Sequence, residues 1–396
     1  MQRKPTPFTG GRMSHHVCVV EWVSKMFEFL GLSYEALKSN FVSLGKPYKL
    51  NFAITMRCQS RCLTCNIWEL KPKDELSVDE ICEFSRKNRT FRWIGLTGGE
   101  PFLRSDIVEI AQTFKENSKG LYLLTIPTNS LCNVEKQAEK IREMLELKVP
   151  RVVITISLDG GKETHDRIRG VPGNFERAIA MFKRLREMGT EYPNLSVVFG
   201  YTISSANQGQ FSNTFSDVSK EVPGISYDSF HMNLAQISDN YYRNNGSGIL
   251  ADRAAAAAEL AEVSRNRKTA LSPMAEIESR FLKGLVEFAR SGNPPEKCRS
   301  LEASLFMDSW GNVFPSIMWN RKIANVREIG YDLSKVWNSS DAADVREKIR
   351  NGEDPKHWTS CEAYQSVIGS LIKRHPYPSS MPVNTAILRP EPESRT

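Results

Sequence analysis

Short apolar runs alternate with amphipathic stretches from residue 48 to residue 235. The runs YKLNFAIT (48–55), WIGLT (93–97), LYLLTIPT (121–128), RVVITISLD (151–159), LSVVFGYTIS (195–204) and SFHMNLA (229–235) read as six strands. Each is apolar over most of its length, which predicts strands of a parallel sheet buried on both faces. Between them the period changes to that of a helix. Ser77 caps the first helix, ahead of VDEICEF, and further helices are predicted at 105–116, 134–147 and 173–189. Strands alternating with helices of this length predict an α/β fold with crossover connections.

The pattern changes after residue 240. ADRAAAAAELAEVSRNR and SPMAEIESRFLKGLVEFAR read as two helices separated at TALSP, with Pro273 in the first turn of the second. SGNPPEKC (291–298) marks a boundary. Beyond it, SLFMDSWGNVFPS reads as a hairpin, and YDLSKVW and ADVREKIR as short helices. In the N-terminal segment, Val19, Val23, Met26, Phe27 and Leu30 share a helical face that Gly31 is expected to end, with Tyr34, Leu37 and Phe41 continuing the pattern. This helix is expected to close one side or the bottom of the sheet layer; the alternative is a helix lying on a lipid surface. The segments predicted are 1–47 (helical extension), 48–240 (α/β core), 241–297 (helical connector), 298–373 (small α+β module) and 374–396 (a Pro- and Ser-rich tail).

Composition adds few constraints. The 396 residues are 40% hydrophobic and 25% charged, ordinary for a folded globular chain. No apolar run is long enough to span a bilayer, and no signal pattern opens the sequence. The eight cysteines are sparse and scattered, which argues for a reducing, cytoplasmic setting and against a disulfide framework. The net charge of +7 includes no block of Lys and Arg dense enough to select nucleic acid as a partner.

The chemistry is concentrated in two places. Cys58, Cys62 and Cys65 stand in MRCQSRCLTCNIW with the spacing C-x3-C-x2-C. A structural zinc site is closed by four Cys or His ligands, and this loop contains no His. A [4Fe–4S] cluster takes one ligand per iron, so three thiolates leave one iron open to a small molecule. Downstream, WIGLTGGEPFLR (93–104) runs from a strand into Gly98, Gly99, Glu100 and Pro101. The glycines allow close backbone approach to a ligand, and the Glu100 carboxylate is placed to receive an ammonium group.

Together these motifs resemble the radical S-adenosylmethionine (SAM) enzymes, which carry C-x3-C-x2-C after the first strand and GGEP at the end of the second. The resemblance implies a partial (β/α)6 barrel with a small C-terminal α+β extension. It also implies a [4Fe–4S] cluster whose open iron chelates SAM, reductive cleavage to methionine and a 5′-deoxyadenosyl radical, and hydrogen abstraction from a substrate. Candidate SAM contacts at strand ends are Asn129, Ser157 and Asp159, with Arg169 beyond the fourth strand. Thr64 stands where the family commonly has an aromatic residue. A flavodoxin or ferredoxin is the implied electron donor, and the substrate is a small molecule, sugar, lipid or peptide. Modification of a ribosomal peptide is a second reading, and a non-catalytic redox sensor a third. Residues 298–373 resemble the SPASM and Twitch extensions, which hold an auxiliary [4Fe–4S] cluster. Only Cys298 and Cys361 match its ligands; Ser316 and Tyr364 replace two expected cysteines, and His357, four residues before Cys361, is a candidate third ligand, with a surface histidine as the favoured reading. The module is therefore expected to keep its fold and lack its metal. Tyr201, His231, Asn233 and Trp319 are named as substrate-side candidates.

Overall fold

In the computed structural model, residues 28–42, 44–268 and 273–371 are described. Six parallel strands lie side by side in chain order: β1 (Lys49–Thr55), β2 (Trp93–Gly98), β3 (Leu123–Thr128), β4 (Arg151–Ser157), β5 (Leu195–Ile203) and β6 (Phe230–Leu234). Helices connect them on the outside: α2 (Val78–Lys87), α3 (Ile107–Asn117), α4 (Val134–Glu146), α5 (Lys162–Arg169), α6 (Asn174–Glu191) and α7 (Phe211–Glu221). The sheet does not close, since β6 stands at one edge, so this is a partial barrel.

Sequence pattern and local structure agree closely here. Ser77 accepts from the Glu80 amide while the Glu80 side chain accepts from Ser77 N, a capping box that starts α2 where expected. The outer faces of the strands and the helices share one apolar core, in which Phe52, Phe84, Phe91 and Phe114 meet at ring-centroid distances of 6.1–6.4 Å.

Three features differ from expectation. The strands are not uniformly apolar. Along β4, Val152, Ile154 and Ile156 are buried in the core, while Arg151, Val153, Thr155 and Ser157 line an interior cavity. Small and polar residues recur on that inner face, among them Gly95, Thr97, Thr125, Gly200 and Thr202. They leave the barrel hollow, where larger side chains would fill it.

Gly31 does not end the N-terminal helix, which runs through it to residue 38 (α1, 28–38). Leu32 and Ala36 are buried against Leu44, Tyr48 and Ala303, whereas Tyr34 and Phe41 are exposed. Phe29, Leu32, Ser33 and Leu37 lie along the cavity. The positions at 19, 23, 26 and 27, and the tail from 374, lie outside the described residues.

The C-terminal hairpin extends the barrel sheet. β7 (Ser304–Met307) pairs parallel with β1, from Lys49↔Ser304 to Phe52↔Met307, and β8 (Asn312–Phe314) and β9 (Ala324–Asn325) follow antiparallel. Helices α8 (Arg253–Asn266) and α9 (Pro273–Ser291) precede it, with Ala256 and Ala257 of the alanine run buried. α10 (Ser334–Trp337), α11 (Ser340–Asn351) and α12 (Ser360–Ser370) complete the described chain.

Candidate active site

The cysteine loop leaves the carboxyl end of β1 and is gripped from three sides. Arg61 N and Leu63 N donate to the carbonyls of Arg169 and Ile168 at the end of α5, each at 2.9 Å. Gly170 caps that helix at φ 66°, and a Cβ there would meet the Arg61 carbonyl at 2.5 Å, so the close approach requires glycine. On the other side, Asn66 N donates to the Tyr242 carbonyl at 2.8 Å and Asn244 Nδ2 to the Thr64 carbonyl at 3.0 Å. From the third side, Asn129 Nδ2 reaches Ser60 Oγ at 3.0 Å and Cys58 Sγ at 3.7 Å.

Cys58, Cys62 and Cys65 are free thiols, and all three face the cavity. Burial, followed by the neighbouring Cys62 and Glu100, pushes the Cys58 thiol up to about 11. Burial, then Cys62 and Cys58, raises Cys65 further. Three half-buried thiols converging on one cavity form a donor set that a cationic metal centre satisfies. The set therefore fits the site-differentiated cluster implied by the spacing.

The Gly98–Gly99 turn brings the ends of β1 and β2 together. Gly98 has φ 136°, and a Cβ on it would sit 1.9 Å from the Thr55 carbonyl, so no side chain is tolerated. Tyr241 Oη, linked at 2.8 Å to Thr97 Oγ1, donates to the Gly98 carbonyl at 3.0 Å. Pro101 is buried in the 3-10 turn that follows and does not line the cavity.

Glu100 lies at the cavity wall but is only 1% exposed, and its carboxylate is already engaged. It accepts from Asn129 N at 2.7 Å, Thr128 Oγ1 at 3.0 Å and Phe102 N at 3.2 Å. These bonds tie the end of β2 to the end of β3 while Glu100 keeps its place in the cavity lining. Burial, opposed by these hydrogen bonds, raises its pKa to about 7.

Asp159 is also engaged by the protein's own residues. It is buried and does not line the cavity. One oxygen pairs with Arg169 at 2.6 Å and the other accepts from Thr202 N at 3.0 Å. Ser157, two residues earlier, does face the cavity. Arg169 bridges the carboxylate and the cysteine loop, with one terminal nitrogen on Asp159 and the other 3.8 Å from Cys62 Sγ. Its Nε is buried without a hydrogen-bond partner.

The cavity has a volume of about 1200 Å³. It runs from the cysteines to Lys49, Trp93 and Arg151 at the amino ends of the strands, and α9 and α12 contribute further walls. Lys49 Nζ sits 3.6 Å from the Trp93 ring centroid and donates to the Cys361 carbonyl at 2.6 Å. Burial brings its pKa down to about 8. Of the substrate-side candidates, His231 and Asn233 line the cavity. Tyr201 points into the core against Phe211, and Trp319 packs outside the cavity. Sequence reasoning missed Tyr241, Tyr242, Gln236 and Glu278, which carry no motif. Burial alone would raise Glu278, but His231, Arg267 and Tyr364 outweigh it and hold the carboxyl at about 2.

Cys298 and Cys361 take different places. Cys361 lines the cavity, while Cys298 is buried outside it beside His357, which is also buried and not a surface residue. Ser316 is buried and offers no thiolate. This donor set does not fit an auxiliary [4Fe–4S] cluster.

A sequence profile of the radical SAM superfamily matches residues 52–215, the stretch that carries both motifs. By this match, residues 52–215 form a radical SAM domain. The chain is 30% identical over 194 residues to an AdoMet-dependent heme synthase of Methanosarcina barkeri, covering 47% of this chain and 51% of the relative. To a probable GTP 3',8-cyclase of Archaeoglobus fulgidus it is 26% identical over 212 residues, covering 49% and 67%. The chain spans about half the length of the curated relatives it matches. In fold it is similar to Streptococcus suis SuiB bound to S-adenosylmethionine, with a TM-score of 0.54 and 16% identity over 77% of this chain and 68% of that one.

Proposed function

We propose that this protein is a radical SAM enzyme acting on a small molecule held inside the barrel. The observation that carries the reading is the cavity, continuous from the three cysteines to the amino ends of the strands and lined by small and polar inner-face residues. Cys58, Cys62 and Cys65 would hold three irons of a [4Fe–4S] cluster. The Gly98–Gly99 backbone, Asn129, Ser157 and Arg169 stand where SAM would meet the protein. When bound, these cofactors supply a carbon-centred radical that takes a hydrogen atom from the substrate.

The chain's own residues position and shield. Arg169 sets a positive charge beside two of the thiolates and is itself held by Asp159. Glu100 fixes the strand ends that shape the SAM pocket. Tyr241, buried near Cys65, and the half-buried Tyr242 beside it exclude water from the cluster side. His231, Asn233 and the Glu278 carboxylate are the polar groups facing a substrate deeper in the barrel. Support for a small molecule also comes from the curated relatives, whose names describe a heme synthase and a GTP cyclase. SuiB has also been solved with its precursor peptide. At 14–16% identity it supports the fold and leaves the peptide reading without a specific observation. A low-potential protein reductant is the implied partner. Among the described residues no helix is long and apolar enough to cross a membrane.

The test is anaerobic. Protein reconstituted with iron and sulfide, then given dithionite and SAM, is expected to form 5′-deoxyadenosine. The variant with Cys58, Cys62 and Cys65 changed to Ala is expected to form none. A cluster that assembles without ever cleaving SAM, with candidate substrates present, would move the protein to the class of redox sensors.

A further inference from the structure

A second cluster of ligating side chains lies outside the cavity. Cys298, Asp354 and His357 are all buried, at 8%, 6% and 7% exposure, and one ligand atom from each lies within 4.8 Å of the others. Cys298 Sγ is 3.7 Å from His357 Nε2. Two ligands at zinc–sulfur and zinc–nitrogen bond lengths, tetrahedrally disposed, are about 3.6 Å apart. The separation found is close to that of two ligands sharing one ion. Nε2 is thus the nitrogen that His357 turns to the thiol. An imidazole placed in this way against a thiol and a carboxylate is an unusual arrangement for a core whose only purpose is packing.

We propose that Cys298, Asp354 and His357 bind a single zinc ion. Thiolate, imidazole and carboxylate together suit zinc better than magnesium or calcium, which take oxygen ligands. One thiolate is too few for a second iron–sulfur cube. The fourth position is open to a water or to Ser300 Oγ, which is 3.1 Å from Cys298 Sγ. None of the three residues lines the catalytic cavity, so the ion holds the fold together and takes no part in catalysis.

The site's place in the chain says what it holds. Cys298 stands just before β7, the strand that joins the hairpin to β1. Asp354 and His357 lie in the loop that leads into α12. That helix brings Cys361 and Tyr364 to the cavity and receives Lys49. An ion bridging the two segments fixes the position of the cavity wall that α12 provides.

The test uses the full chain with Cys58, Cys62 and Cys65 changed to Ala, so that the resident cluster is absent. Elemental analysis after loading with zinc and removing free metal is expected to give one zinc per chain. Loading with cobalt(II) is expected to give the d–d bands of a four-coordinate site and a thiolate-to-cobalt charge-transfer band. Adding Cys298→Ser should abolish the charge-transfer band, and adding His357→Gln should cut zinc retention at least tenfold. Far-UV circular dichroism of each variant confirms that the fold persists. If Cys298→Ser unfolds the chain, the His357→Gln result decides. No retained zinc, retention untouched by His357→Gln, or four irons with labile sulfide in the triple-Ala protein would overturn the proposal. None of these readouts involves SAM, so failure here leaves the proposed catalytic function standing.

Discussion

Glu100 shows how one side chain changes meaning between sequence and structure. In GGEP it is a free carboxylate beside two glycines; in the fold three donors from β3 and the following turn enclose it. Burial outweighs those bonds and lifts its pKa from the ordinary 4.5 to about 7. The sign of the consequence follows from linkage. The native state holds this proton more tightly than the unfolded chain does, so the contribution to stability is fully present below pH 4.5 and is lost as pH rises towards about 7. For one proton the slope is at most about 1.4 kcal/mol per pH unit. Denaturant titrations of the metal-free protein across that window should show stability falling with pH, and Glu100→Gln should flatten the fall. An unchanged slope in the variant would mean that Glu100 is already ionised in the native state.

At the scale of elements, the wall of the cavity depends on how α9 and the α12 loop meet. Gly284 of α9 lies against the Trp358 indole, where an added Cβ would stand 2.6 Å from Cζ2. Trp358 cannot swing away easily, because its Nε1 donates to the Phe281 carbonyl at 3.0 Å and its amide to Gln236 at 3.1 Å. Gly284 is in a helix interior, where alanine is otherwise the better residue. Gly284→Ala is therefore expected to destabilise by about 1–3 kcal/mol through overpacking, against its own helix propensity. Urea midpoints of the two proteins measure this, and a stabilised variant would show that the helix and loop are not packed as described.

For the whole molecule, the decisive contact is β1 with β7. Every residue of β1 is buried, with β2 on one side and β7 on the other. Without β7 the strand becomes an unprotected apolar edge beside the cysteine loop, the kind of edge that pairs with other chains. A chain ended at residue 297 is expected to aggregate on expression, while the full chain does not; recovery in the soluble fraction and light scattering distinguish them. A soluble, monomeric truncated protein would show that the barrel does not need β7 to cover β1.

The sequence by itself determined the local structure and the cluster loop. Period and capping placed six strands and most of the helices, because those signals are carried by neighbouring residues. The spacing of Cys58, Cys62 and Cys65 likewise needs only one loop. Some elements were less legible. α7 (FSNTFSDVSKE) is too rich in Ser to advertise a helix, and β4 was read as evenly apolar although its Thr and Ser residues face a cavity. Tertiary structure decided what each polar group was free to do. Glu100 and Asp159 were consumed by partners distant in sequence, Thr128, Asn129, Arg169 and Thr202. Tyr241 was brought to Gly98, and Cys298 to His357 while Cys361 went to the cavity. A carboxylate or thiol has the same identity in either setting. Whether it is a ligand, a ligand's support or a structural tie depends on burial and on the donors around it, and those are set only when distant strands come together.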